Sequence, residues 1–385
     1  MSDLNGRQAA GDGQDGQVFD LSAAFESDAD LDAVLVEIPV NKGPISSIVA
    51  SPDGSRLMVT NYGHDSVSVI DVSVIDTDTC RVVETVAGIN EPFAIAMGSE
   101  DVDRAYVTTV SAAYDSIGVI DTSTNTVVST HPLALSVSDL VVSPDGKRVY
   151  ASRNGVGGAD VAVLDTTTGQ VEVLDIATGP GTSTECVRVG SDGGRLYVGT
   201  NGPAGGQLVV IGADAQTGLY VIDTVPISSP IRDVALSRNG ATAYVASCGP
   251  DSGAVVDVVD TGANKILSTH KITDVSGIVT GLALSGDGDR AYLVTDDGVT
   301  VLCARTQDII GAVGLSNQPS CVVESPNGKY LYVADYSGAV TVAPVASVVA
   351  PGIEPAAHWD DTAAEDDAAA EWAMPELPQL EPALA

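Results

Sequence analysis

Histidine, tryptophan, phenylalanine and positive charge are all scarce in this chain of 385 residues, and each scarcity closes off a class of function. Only His64, His131, His270 and His358 are present, and the five cysteines form no CxxC pair, so ligands for a zinc site are too few and too scattered. No metal is expected. Cys80, Cys186, Cys248, Cys303 and Cys321 are odd in number and read as small buried hydrophobes in strands. No GxSxG, HExxH or P-loop phrase occurs, and no cofactor is expected. No apolar run approaches the roughly 20 residues that cross a bilayer. Residues 1–32 lack the basic-then-apolar order of a secretory signal, so the chain reads as cytoplasmic.

The shortage of bases has its own consequence. Seventeen Lys and Arg stand against 52 Asp and Glu, a formal net charge of −35. Residues 1–37 hold nine acids and Arg7 alone, and residues 354–385 hold nine acids and no base, which leaves 34 acids against 16 bases between them. A field of that sign repels phosphate backbones and anionic lipid, so neither nucleic acid nor membrane is expected as a partner. A basic protein surface is the complementary one. A monomer is expected.

What the chain does have is a phrase that returns. Ser51-Pro52-Asp53-Gly54 precedes Arg56-Leu57-Met58-Val59-Thr60-Asn61, Ser143-Pro144-Asp145-Gly146 precedes Val149-Tyr150, and Ser191-Asp192-Gly193 precedes Leu196-Tyr197-Val198. Further copies run from Asn239-Gly240 to Tyr244, Asp287-Gly288 to Tyr292, and Asn327-Gly328 to Tyr332. One copy, Ser99-Glu100-Asp101-Val102 before Tyr106, has lost its glycine. Each copy reads as an apolar strand, a tight Asp-Gly or Asn-Gly turn, a Tyr-bearing strand, a variable loop, a third strand such as Gly118-Val119-Ile120-Asp121, a Thr-rich turn and a fourth strand. Seven copies about 40 to 48 residues apart predict seven four-stranded antiparallel blades, an all-β propeller.

The phrase "SPDG…YV(T)N…VSVIDT" resembles the YVTN-repeat (YncE-like, lactonase-like) seven-bladed β-propellers over residues 34–350. The resemblance implies the fold. It leaves function open, because that family includes surface-layer modules, binding proteins and sugar-lactone hydrolases of the 6-phosphogluconolactonase type.

Domain organisation follows from the repeat. Residues 1–33 form an acidic extension expected to be mostly disordered, 34–350 the propeller, and 351–385 an acidic Ala/Pro-rich tail. The last copy lacks a fourth strand, and the apolar run at 34–40 is expected to supply it and close the ring. Val67-Ser68-Val69-Ile70-Asp71 is repeated at once as Val72-Ser73-Val74-Ile75-Asp76, and the second copy is expected to pair. Trp359 and Trp372 are the only tryptophans and lie in the acidic tail, where they read as anchors for a partner.

Function on such a scaffold belongs to the loops at the mouth of the axial channel. The loops before each first strand bring Lys42, Asp139, Glu185, Arg232 and Asp233 there, and those between second and third strands bring Asn61, His64, Arg153, Asn154, Asn201 and Asp335. Lys42, His64, Arg153, Asn154, Glu185, Arg232 and Asp233 are the candidate contacts for a small polar ligand. Asn61 and Asn201 fill the Asn of the repeat and read as turn caps. Arg232, Asp233 and Glu185 also admit mutual pairing around the channel. Two functions compete. A non-enzymatic scaffold that binds a protein or small polar ligand at this mouth needs no catalytic group. A lactone hydrolase would take Glu185 or His64 as base and Arg153 or Arg232 as the cation facing the oxyanion.

Overall fold

The computed structural model describes residues 35–61, 72–98, 102–110, 114–179, 181–214, 218–249 and 253–348. His64, Trp359, Trp372, both acidic extensions and the first copy of the duplicated phrase lie outside the described residues.

Twenty-eight strands among the described residues form seven four-stranded antiparallel sheets, the blades of a seven-bladed β-propeller. Blade 1 is β2 (Ile45–Ala50), β3 (Arg56–Asn61), β4 (Val72–Asp76) and β5 (Arg81–Val86). Blade 2 is β6 (Pro92–Met97), β7 (Arg104–Thr109), β8 (Ser116–Asp121) and β9 (Thr126–Pro132), and blade 3 is β10 (Ser136–Val142), β11 (Arg148–Gly155), β12 (Gly158–Asp165) and β13 (Val171–Thr178). Blade 4 is β14 (Ser183–Val189), β15 (Arg195–Gly202), β16 (Gly205–Asp214) and β17 (Gly218–Ile227). Blade 5 is β18 (Ile231–Leu236), β19 (Thr242–Cys248), β20 (Ala254–Asp260) and β21 (Lys265–Ile272), and blade 6 is β22 (Val279–Leu284), β23 (Arg290–Thr295), β24 (Gly298–Cys303) and β25 (Ile309–Val313). In blade 7, β26 (Pro319–Glu324), β27 (Tyr330–Asp335) and β28 (Ala339–Pro344) are joined by β1 (Val36–Pro39) from the other end of the chain, with Val36 opposite Val342 and Pro39 opposite Ala339. Each innermost strand packs on the next, and β26 packs on β2. The ring is closed. Of the duplicated phrase it is the second copy, β4, that pairs in the sheet.

The core lies between blades. Alternate residues of each second strand face opposite neighbours, so Leu57 and Val59 pack against blade 7's Tyr332, Val340 and Val342. Meanwhile Met58 packs against blade 2's Ile95, Ala105 and Val107. The Tyr of the repeat is that second kind of residue. Tyr106, Tyr150, Tyr197, Tyr244, Tyr292 and Tyr332 are all buried, and Met58 takes the place in blade 1. The turns are built locally: Asp53 accepts from the Ser55 amide at 3.0 Å, Ser51 Oγ donates to Asp53, and Gly54 takes φ +73°. Cys186 is buried, but Cys80 sits in the β4–β5 turn at φ +51°, where a strand position was expected; the preceding Asp76-Thr77-Asp78-Thr79 run bends the chain there and Asp76 caps it.

The channel mouth as candidate functional site

The innermost strands run from one face, the mouth face, to the Asp-Gly turns on the other. Near the start of each the register slips by one residue. Such a bulge re-aims a side chain away from the sheet's own alternation. The bulged positions are Ser46, Phe93, Ser138, Glu185, Arg232, Thr280 and Ser320, one from each blade. Two of them, Glu185 and Arg232, are residues that the sequence pointed to as mouth candidates.

In blades 1, 3 and 5 the residue after the bulge has a different task. Asp139 Oδ2 of blade 3 accepts the Val187 amide of blade 4 at 3.0 Å, and Asp233 Oδ2 of blade 5 accepts the Leu282 amide of blade 6 at 2.9 Å. Ser47 Oγ does the same for Ile95, more weakly, at 3.4 Å. Between the two acids stands Arg188, whose Nη1 meets Asp139 Oδ2 and whose Nη2 meets Asp233 Oδ1, each at 2.5 Å. One guanidinium thus ties three consecutive blades along the channel wall. Burial raises the Asp233 carboxyl above the usual carboxylate range despite the pull of Arg188. Burial alone would lower the Arg188 pKa, but the two acids raise it, so its charge is fixed.

Several expected ligand contacts are therefore structural. Arg153 is not in a loop. It lies on β11, which runs three residues further than the repeat suggested because Gly155 and Gly158 extend the β11–β12 pairing to its end. Its Nε and Nη2 grip Asp160 at 2.7 and 3.0 Å, and Nη1 donates to the Leu133 carbonyl. Asn154 reaches to blade 4, where Oδ1 accepts the Thr184 amide at 2.6 Å, while within its own blade Nδ2 donates to Ser138 Oγ at 2.6 Å. Asn201 is no turn cap, since it clasps the Ile231 backbone of blade 5, donating to its carbonyl at 2.9 Å and accepting from its amide at 2.8 Å. Asn61 Oδ1 accepts from Ser73 Oγ at 2.9 Å, and the turn it was expected to cap lies outside the described residues. Asp233 pairs with Arg188 and not with its neighbour Arg232. Asp335 caps the turn at Ser337 through its own carboxylate.

Lys42 and Arg232 remain exposed, and Glu185 is half-buried with a 3.2 Å contact from Ser183 Oγ.

No family model matches this chain. It is 53% identical over 411 residues to the "Seven-bladed beta-propeller protein Rv1057" of Mycobacterium tuberculosis, and the match covers all of both chains. The chain belongs to the seven-bladed β-propeller proteins. Among solved structures it is similar to Kuenenia stuttgartiensis Hydrazine Synthase, with a TM-score of 0.70 and 22% identity over 80% of this chain and 98% of that one, a likeness that shows the fold alone.

The channel and its mouth also carry groups that sequence reasoning missed. Arg188 escaped notice because it sits inside the run Cys186-Val187-Arg188-Val189, although a charge in an innermost strand is itself a signal of a channel pair. The second omission is apolar. Phe93, Tyr114, Val156, Ile278 and Tyr336 are exposed, and strand direction puts all five at the mouth face. Among the described residues no helix is long and apolar enough to cross a membrane.

Proposed function

We propose that this propeller is a non-enzymatic scaffold that binds a protein partner across its channel-mouth face. The observation that carries this reading is the set of exposed apolar side chains there: Phe93 and Tyr114 from blade 2, Val156 from blade 3, Ile278 at the entry to blade 6 and Tyr336 from blade 7. Aromatic anchors within a polar, mixed-charge surround have the make-up of a protein interface. Lys42, Glu185 and Arg232 supply that surround, and the net charge of the chain favours a basic partner. Trp359 and Trp372 of the acidic tail belong to the same proposal as a second point of attachment. The resemblance to YVTN-repeat propellers supports it to the extent that this family includes binding modules.

The small-ligand and lactone-hydrolase readings both lean on Glu185 and Arg232, which stand on equivalent bulges of adjacent blades. The guanidinium of Arg153, the other candidate for the oxyanion, is already neutralised by Asp160. The deciding experiment is co-purification from the native cell followed by mass spectrometry, comparing the wild type with a Phe93→Ala, Tyr114→Ala, Tyr336→Ala variant. A protein retained by the wild type and lost from the variant is the expected result. Equal retention by both sinks the proposal, and turnover of a lactone abolished by Arg232→Ala would replace it with the hydrolase.

A further inference from the structure

Blades 1 and 2 part from each other on the turn face, opposite the mouth. At three other junctions the turn of one blade is seated on the turn glycine of the next. A Cβ on Gly54 would lie 3.4 Å from Pro326 Cδ, one on Gly193 3.4 Å from Pro144 Cδ, and one on Gly240 3.5 Å from Ser191 Oγ. Blade 2 has Val102 where the repeat has its glycine. In place of a seat there is a cavity of about 610 Å³, bordered by Pro52 of blade 1 and Val102 of blade 2. Buried Met58 and Val74 and half-buried Met97 give it an apolar lining. Asp53, Asp103 and Arg56, all exposed, give it charge of both signs.

We propose that this cleft binds a small apolar zwitterion of dipeptide size, its ammonium facing Asp53 and Asp103, its carboxylate facing Arg56 and its side chains on the methionines. The volume is that of a small-molecule site, in the range of about 300–1,000 Å³. Methionine is the side chain that best re-packs around an apolar guest of variable shape. Among the described residues, two carboxylates to one guanidinium select a ligand that carries a cation, and the strongly negative field of the chain draws such a ligand in while repelling a lone anion. Asp53 is held ionised, since Ser51 and Ser55 donate to both of its oxygens. At the three junctions named above the glycine turn is seated on its neighbour, whereas the copy that borders this cleft has lost its glycine. Its residues lie on the face away from the mouth, and the proposal stands or falls independently of the partner reading.

The test titrates the full chain calorimetrically with the dipeptide Leu-Leu, with N-acetyl-Leu-Leu and with Leu-Leu amide. Leu-Leu is expected to bind, and acetylation, which removes the cation, to weaken it at least about tenfold, as befits loss of a charge-assisted contact. Amidation should weaken it less, because a single base is involved. Two variants complete the test: Asp103→Asn should lower affinity, and Val102→Trp, which fills the cleft, should abolish binding with melting unchanged. The comparison of the three dipeptide forms needs no variant to fold. Absence of binding at millimolar Leu-Leu, equal binding of all three forms, or binding untouched by Val102→Trp would each overturn the proposal.

Discussion

Arg153 and Asp160 face each other across β11 and β12 in a two-point grip, Nε to Oδ1 at 2.7 Å and Nη2 to Oδ2 at 3.0 Å, with both side chains nine-tenths or more buried. The pair is directly cross-strand. Removing one partner strands a charge inside the blade, which costs about 3–5 kcal/mol. Arg153→Ala and Asp160→Ala are each expected to lose that much in urea denaturation. The double change Arg153→Met, Asp160→Leu should lose much less, because neither charge is left alone. A full, additive loss in the double variant would show that the pair is not a closed unit.

Acid and base dependence should separate the buried carboxyls from the turn carboxylates. Asp257 lies in β20, buried, accepting a hydrogen bond from Thr269 Oγ1. Burial raises its pKa, and the Thr269 bond only partly offsets this. For a carboxyl raised on folding, the sign runs against the usual acid denaturation. Below the unfolded value of about 3.9 it is neutral in both states and imposes no penalty. As pH climbs through its folded value, ionisation is harder in the folded state, and stability relative to Asp257→Asn is lost. The variant should therefore gain stability on the wild type as pH rises above the unfolded value of about 3.9. Asp121, which Ser123, Arg104 and backbone amides hold at about 2, should behave oppositely. Its stabilisation is complete above the unfolded value and is lost as pH falls toward 2. Parallel stability curves for wild type and Asp257→Asn would exclude the first claim.

The Thr-rich turns suggest a chemical probe. In blades 1, 2, 3 and 5 an aspartate ends the third strand and accepts backbone amides two or three residues on: Asp76 from Thr79, Asp121 from Ser123 and Thr124, Asp165 from Thr167 and Thr168, Asp260 from Gly262 and Ala263. Blade 6 has Cys303 in that position. Burial works to raise the Cys303 thiol, but hydrogen bonds from Thr306 and Arg305, with the Arg305 charge, bring it below its ordinary value. Cys186 is buried and pushed far up. Because the thiolate is the nucleophile, iodoacetamide at neutral pH should label Cys303 about tenfold or more faster than Cys186. Peptide mapping of a partial reaction would read the order, and equal labelling would refute it.

How far the sequence reached depends on what each residue answers to. The blades were legible because each strand and turn is specified locally. Tyr150 and Tyr197 recur in register, and Gly146 and Gly193 take φ near +70° where the turn demands it. The closing strand was legible as well, since the repeat left one blade short and one apolar run over. The mouth was not, because its contacts join residues on different blades. Asn201 reads as a local cap until Ile231 is seen beside it, and Arg188 reads as a stray charge until Asp139 and Asp233 flank it. Arg153 was misplaced for a third reason: the strand phrase ends before it, yet the β11–β12 hairpin continues through Gly155.

Ring closure gives the last prediction. Val36, Glu37, Ile38 and Pro39 pair with Val342, Thr341, Val340 and Ala339, and Ile38 is buried in the cluster shared by blades 7 and 1 with Tyr332, Val340 and Leu57. Beyond the strand, the Val40 and Asn41 amides both donate to the Gly338 carbonyl, at 3.0 and 3.1 Å. Without these residues β28 becomes an unpaired edge beside an uncovered apolar face, which is a template for aggregation. Deleting residues 1–40 should therefore lower the melting point sharply and yield aggregate on heating. Deleting residues 1–30 spares every one of these contacts and should shift melting little. Since β1 is brought in from the far end of the chain, the first truncation should also expose blade 7 to proteolysis before the others. Indistinguishable melting of the two truncations, or first cleavage in another blade, would mean that the ring holds without its closing strand.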